Sequence, residues 1–564
     1  MKILPSTGTS LLALVLLASL VSRANSQDRF FNQTNFGDFA LPANWQGSNP
    51  PTTGFANTFV GSSALGSPPL GTVTAYLNTD ITSWATGSLF LGQGSSGNAT
   101  LIISNGGSLQ YGAVYIGRDA GAVGVLNQLG GTNRVNTGTF EIQSGGASGT
   151  YNLSGGVLNT INAAPTAIKV GTSGSGIGYF NMSGGTFNAG TNFATQQHSL
   201  NVGWAARGEA AFSAGTANIT GDLNAGNGSN GLVTVSGSAL VNARNVNVGL
   251  NAGATNSRLT VTGGTLSVTN GIVVSNSSVL NMSGGTVSAT GLRIASGSIM
   301  NDSGGSLNLP SITNNGSIVY SNSSGTLTRS NAISGSGAVT KSGAGSVTLT
   351  ANNTYTGDTT VNAGSLIING NQSSANGVLN VAAGATLAGS GTIGGAATIN
   401  GLHSPGNSPG IQTFSAGLTY ATGATLVWEL TGNTSTGRGT SFDGVDVTAG
   451  TLSVGSGVTS SLVFNGTGST VSWSDAFWAS NQQWLVFDNA SLPTVSSNVF
   501  DTINDGLDIS SQSLTSVRSG ASFSWDTVGN DVYLTYTIPE PSTYALLVLA
   551  ASGLGAHVLR GRRR

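Results

Sequence analysis

The sequence predicts an all-β protein: a parallel β-helix, or solenoid, with a β-rich C-terminal capping domain and a single C-terminal transmembrane helix. Three observations predict it. Short runs in which apolar residues alternate with Asn, Ser or Thr return every 20–30 residues, the signature of a stacked repeat. Glycine accounts for 86 of 564 residues, about twice its usual share of ~7%, which suits short strands joined by tight turns. Charged residues make up only 7% and cysteine is absent, so neither disulfides nor a charged surface organises the chain.

Residues 1–26 read as a secretory signal peptide. Lys2 supplies the positive start, an apolar run follows from Leu11 to Val21, and Ala24-Asn25-Ser26 offers small residues for cleavage before Gln27. Residues 27–88 lack the repeat and are rich in Pro and Gly, so they are expected to form an N-terminal cap. Residues 89–332 carry the β-helix repeats. One phrase is a short strand, Ser-Gly-Gly or a variant, then another strand, as in Tyr151-Asn-Leu-Ser-Gly-Gly-Val-Leu and Leu280-Asn-Met-Ser-Gly-Gly-Thr-Val. Its first glycine falls at 106, 130, 155 and 184, then at 263, 284 and 304, with blurred copies between. A second phrase, such as Val114-Tyr-Ile-Gly or Val246-Asn-Val-Gly, intervenes. Each period holds two or three strands, enough for one coil, and about ten coils at ~4.8 Å would make a rod on the order of 50 Å long.

Residues 333–414 change the pattern. Gly335, Gly337, Val339, Lys341, Gly343, Gly345, Val347 and Leu349 alternate, followed by Asn353, Tyr355, Gly357, Thr359, Val361, Gly364 and Leu366. This run resembles the autotransporter-associated β-strand repeat, and Ser404-Pro-Gly-Asn-Ser-Pro-Gly410 resembles its usual continuation. The resemblance implies a β-helical passenger and says nothing of activity; Lys341 is read as a lysine at a coil corner. An autotransporter's membrane barrel is not expected in the roughly 120 residues that follow, since each of its strands needs ~9–11 residues. Residues 415–537 hold longer strands and five of the eight tryptophans, and read as the β-rich capping domain.

Residues 538–564 combine Pro539-Glu540-Pro541, an apolar run from Tyr544 to Leu559, and Arg560, Arg562, Arg563 and Arg564. The apolar run is near the ~17-residue lower limit for spanning a bilayer, and the arginines would hold that end in the cytoplasm. The three parts together resemble the PEP-CTERM sorting signal of Gram-negative bacteria. That resemblance implies recognition of Pro539, Glu540 and Pro541 by an exosortase, transient anchoring in the inner membrane by the Tyr544–Leu559 run, and release to the surface or extracellular matrix. Signal peptidase and exosortase would be the processing partners and exopolysaccharide a possible ligand.

Little in the sequence points to chemistry. Histidine occurs only at 198, 403 and 557, and none has metal-ligand spacing. Asp119, Glu141, Glu209, Asp222 and Asp302 are scattered singly through the repeats, whereas a polysaccharide lyase or hydrolase needs converging acids. The Asp501–Asp508 stretch departs from a calcium loop, with Ile503 at a ligand position and Gln512 where Glu belongs. A net charge of −2 carries no nucleic-acid footprint. The expectation is therefore a structural or adhesive surface protein without catalytic residues, metal or cofactor. A polysaccharide-degrading enzyme on a β-helix is the alternative, and a sugar-binding module built on the C-terminal tryptophans is a third reading.

Overall fold

The computed structural model describes residues 29–31, 36–38, 42–45, 55–62, 73–80, 85–136, 138–160, 168–190, 198–495 and 499–539. These are all-β, with mostly parallel strands in long sheets, as the repeats predict. Among them the helices are single turns, and none is long and apolar enough to cross a membrane. The signal peptide and the expected transmembrane segment from Tyr544 to Leu559 lie outside the described residues, as do Glu540, Pro541 and the arginines 560, 562, 563 and 564. The chain divides into two compact units, Met1–Ile318 and Val319–Arg564.

In the first unit each coil contributes up to three strands. A pre-turn strand such as Ser148–Leu153 runs into the Ser-Gly-Gly corner, a post-turn strand such as Val157–Thr160 leaves it, and a return strand such as Ile168–Val170 closes the coil. Each pairs in parallel with its counterpart in the next coil. Along the post-turn sheet the partners run Ser108, Thr132, Val157, Thr186, Thr216, Leu240, Thr265, Thr286 and Ser306. Successive coils are therefore 24, 25, 29, 30, 24, 25, 21 and 20 residues long. The blurred stretch of sequence is thus three regular coils whose corners read Ala214-Gly215, Gly237-Ser238 and Gly263-Gly264. Parallel pairing already begins within 27–88, where Phe55–Ser62 joins Ala85–Gln93 and Val73–Leu77 joins Asn98–Ile103. Much of the expected cap is therefore coil, despite the missing phrase.

Alternation decides which side chains enter the core. Leu153, Leu158, Val170, Phe180 and Phe212 are buried, while their strand neighbours face out. Tyr151 and Phe180 stack at 5.7 Å inside adjacent coils. The corner serine ties one coil to the next, since Ser154, Ser213, Ser236 and Ser303 each donate their hydroxyl to a carbonyl of the preceding coil at 3.2–3.3 Å. The glycine that follows passes close beneath that coil. Gly285 sits at φ +68°, and a Cβ there would lie 2.5 Å from the Gly263 carbonyl oxygen.

In the second unit the longest column of parallel partners runs Thr326, Ser346, Ser365, Thr386, Leu402, Thr425, Thr459 and Thr502. Its coils measure 20, 19, 21, 16, 23, 34 and 43 residues. Parallel stacking therefore continues past residue 415, where a separate domain was expected, as far as Asn504. The last two coils are long because each carries an inserted segment, and these insertions hide the period in the sequence. Stacking ends at Gln482–Asn489, which pairs in parallel with Gly444–Val447 on one side and antiparallel with Asp531–Thr537 on the other. Ser522–Val528 completes that terminal antiparallel set.

Gly285→Ala is expected to destabilise the first unit by about 1–3 kcal/mol, because it adds a Cβ to a left-handed residue pressed on backbone. Thr286→Ala beside it should stay within about 0.5 kcal/mol. Urea midpoints of the two variants would separate these values, and equal midpoints would refute the corner argument.

Candidate binding surface

The outward rows of the first unit are set by register. Residues on corresponding positions of successive coils lie about 4.8 Å apart, within reach for side-chain amides to bond in series. On the post-turn face Asn188, Asn218 and Asn242 each donate to the asparagine one coil earlier at 2.9 Å, beginning at Asn159. On the pre-turn face Asn181 donates to Asn152 and Asn152 to Asn127, at 2.9 and 2.8 Å. The return face begins with a ring stack, Phe59 on Phe90 on Tyr115, at 4.8 Å per step, with the Arg118 guanidinium 5.1 Å from the Phe90 centroid. The same row continues with Glu141 and Lys169, an ion pair at 3.3 Å. It ends in a third ladder, in which Asn224 donates to Asn201 and Asn247 to Asn224 at 2.8 Å.

The acids named from sequence do not converge. Asp119 accepts from the Gly94 amide at 3.2 Å, Glu209 pairs with Arg207 at 2.6 Å, and Asp222 accepts from Asn245 at 2.7 Å. Asp302 is fully buried, facing inward in register with Met282. Among the described residues no three acids or histidines are placed to hold a metal. Asp508 is buried and its carboxylate accepts the backbone amides of Trp473, Ser510 and Gln512, so it ties a loop rather than facing a cation.

The second unit buries several of its ionisable groups. Lys341 is fully buried, and its ammonium donates to the carbonyls of Gly343 and, at 3.2 Å, Ala363. Burial lowers its pKa. Tyr355 is buried with its hydroxyl 2.6 Å from that of Thr359, and burial raises its pKa to about 12. His403 lies beneath the Pro-Gly loop between the Tyr420 hydroxyl and Gln412, 2.8 Å from the Gln412 Oε1. The Gln412 amide nitrogen donates to the Ala388 carbonyl, which leaves its oxygen facing the ring. His403 Nε2 is therefore the donor and Nδ1 accepts from Tyr420, a neutral ring. Burial pushes its pKa down to about 4, against the Gln412 bond. Asp443 accepts the amides of Gly410 and Glu429 at 2.9 and 3.0 Å. Burial nevertheless pushes its carboxyl up to about 8, with the Glu429 charge adding to the rise.

Residues 339–368 match the passenger-associated-transport-repeat family. The chain is also 46% identical over 82 residues to the adhesin BmaC autotransporter of Brucella suis biovar 1 (strain 1330). That alignment covers 14% of this chain and 2% of the adhesin. The geometry gives the passenger repeat a physical reason at each position. Val347, Leu349, Val361 and Leu366 fill the core, and Asn353 accepts the Ile333 amide at 2.8 Å. Gly364 sits at φ +65°, where a Cβ would lie 2.3 Å from the Gly345 oxygen and 2.8 Å from the Lys341 ammonium. The repeat's lysine is thus not an exposed corner residue; it holds two corner carbonyls from within.

The third reading, a sugar-binding module on the C-terminal tryptophans, loses four of its five rings to the core. Trp428, Trp473, Trp478 and Trp484 are fully buried and pack on one another and on Phe464 and Phe523. Their indole N–H groups donate to Asp443, Gln512, Asn433 and Thr434 at 2.7–2.9 Å. None of these four offers a ring face to a sugar. Pro539 is exposed two residues beyond the last strand, Asp531–Thr537.

Two outcomes follow from these groups. Asn224 is 3% exposed and bonded on both sides; Asn224→Ala strands a partner on each side and should cost about 1–3 kcal/mol by urea unfolding. The titrating pair in the second unit works in opposite directions. Neutral His403 makes stability rise with pH between about 4 and 6.5, because only the unfolded chain binds that proton. Protonated Asp443 makes it fall between 3.8 and about 8, because the unfolded chain has already released the proton. The two cancel up to 6.5. From there to pH 8 stability should drop by about 2 kcal/mol. In Glu429→Gln the drop should be smaller and end at lower pH, because the Asp443 pKa falls. A thermal midpoint that rises from pH 6.5 to 8 would contradict the assignment.

Proposed function

We propose that this chain is an exported structural or adhesive passenger of the bacterial cell surface or extracellular matrix. The observation that carries the reading is a passenger repeat embedded in parallel stacked coils. The adhesin named above supports it over the short matched stretch. Signal peptidase would remove residues 1–26. An exosortase-type protease would recognise Pro539, Glu540 and Pro541 while the Tyr544–Leu559 run and the terminal arginines held the chain in the inner membrane. The exposure of Pro539 next to the terminal sheet favours access at that point. Rows of amides and hydroxyls along stacked coils suit many weak contacts to exopolysaccharide, which avidity makes effective. The side chains serve packing, ladders and turns, so the role is non-enzymatic.

Terminal-peptide mass spectrometry of the protein from surface and medium fractions of its host tests the sorting. A mature start near Gln27 and loss of the tail beyond Pro541 are expected; a chain retaining Arg564 would defeat the exosortase assignment. Deletion of the gene should reduce attachment of cells to matrix-coated surfaces, and undiminished attachment would defeat the adhesive role.

A further inference from the structure

The three outward faces of the first unit differ in charge. The pre-turn face aligns Tyr179, Glu209, Leu232 and Arg258 in one row. The return face carries Glu141, Lys169 and Arg293. On the post-turn face Arg134 stands one coil before Asn159 in the same row, and the paired positions from Val157–Thr160 to Ser306–Asn308 carry no charged side chain, with Arg244 just past the paired Leu240–Ala243 segment. Its outward positions form two parallel rows. One is mostly threonine, with Thr186, Thr216, Thr265 and Thr286. The other lies two residues further along each strand and holds Asn188, Asn218 and Asn242, then serines.

The two rows are bonded differently. Asn188 and Asn218 each spend one N–H and one oxygen lone pair on their neighbours at 2.9 Å, and Asn242 spends one N–H, which fixes these amide planes and leaves the second N–H free to point outward. The four threonine hydroxyls are half-buried and make no hydrogen bond within the protein. The result is a grid of donors and acceptors spaced about 4.8 Å from coil to coil and about 6.6 Å along the strands, interrupted in the threonine row by the exposed Leu240 between Thr216 and Thr265. Such a grid is complementary to a ligand that is itself periodic, extended, hydroxyl-rich and uncharged. An acidic polymer lying over the paired positions from Thr186 to Ser288 would find no cation among them, and its charges there would lose hydration without compensation.

We propose that the post-turn face of the first unit, centred on Thr216, Thr265 and Thr286 beside the Asn188–Asn242 ladder, binds a neutral β-linked polysaccharide lying across successive coils. The proposal rests on the adhesive reading and assigns it a face and a ligand class. Preorganised amides lower the ordering cost of each contact, and repetition over the coils multiplies weak ones.

The test is a depletion assay of the full chain on microcrystalline cellulose, insoluble β-1,3-glucan, chitin and calcium alginate. The wild-type chain should bind at least one neutral polymer and not alginate. A T216A/T265A/T286A variant should weaken binding by about tenfold or more, as loss of three net hydrogen bonds implies. A T150A/T234A/T260A variant, with the same chemistry on the pre-turn face, should stay within about twofold. Circular dichroism checks that both variants fold. Equal binding by the two variants, or binding to alginate alone, overturns the assignment. Absence of binding to all three neutral polymers, while the deletion strain still loses attachment, overturns the ligand class and leaves the adhesive role standing. Undiminished attachment of the deletion strain instead removes the adhesive role itself.

Discussion

The structure depends on one constraint: every strand must meet its own counterpart one coil away, at about 4.8 Å. At that spacing a side chain's nearest neighbour is the residue in the same position of the next coil, so like stands on like. Groups that bind their own kind are favoured. Asparagine both donates and accepts, so three ladders form with bonds of 2.8–2.9 Å. Flat rings stack, as Phe59, Phe90 and Tyr115 do. Charges repel their own kind, at a cost near 1 kcal/mol in water and more where shielded from it. A charged fraction of only 7% is the compositional trace of that rule. Lys169 meets Glu141 across coils with opposite sign, and where Asp446 stands in register with Asp488 the Arg438 guanidinium pairs with Asp446 at 2.7 Å.

The corners meet the same constraint with different residues. A side chain pointing into the corner would strike the coil beneath, so glycine stands there, and serine returns its hydroxyl to that coil's carbonyl. Because pairing is enforced only in the strands, the material between them is free to vary. In the second unit coils range from 16 to 43 residues while the paired threonines and serines remain in step. Insertions therefore cost little as long as they leave the corners intact, consistent with the weak dependence of loop closure on length.

This explains what could and could not be read from sequence. The period, the strand alternation and the passenger repeat were legible because each is a local pattern of residue types. The corners at Phe212–Thr216 and Val235–Ala239 were blurred, since Ala214 and Ser238 stand where glycine marks the other corners. The coils beyond residue 415 were hidden, because a 43-residue spacing between Thr459 and Thr502 does not look like a repeat. Of the 538–564 tail only Ile538 and Pro539 fall within the described residues. Inward polar residues were the least legible. Gln128, Lys341 and His403 occupy core positions of ordinary alternating strands, and alternation tells the face a residue takes but not the partner it finds there.

Those inward polar groups also show how the coil interior accommodates ionisable residues. Carbonyls at the corners supply the partners for the Lys341 ammonium, backbone amides supply those of Asp443, and Tyr420 with Gln412 brackets a neutral His403. In each case the compensating groups are uncharged dipoles held by the stack, so no buried counter-charge has to be matched coil by coil. The same logic applied outward yields faces of different character from one repeating plan. A row free of charge over successive coils can be read by a partner only through hydroxyl and amide geometry, whereas the ring stack and the Glu141–Lys169 pair of the return face are engaged by contacts among themselves. Chemistry available to a ligand is therefore concentrated where the repeat is most uniform, which is why function in such a chain belongs to a surface of repeated weak contacts rather than to a single pocket.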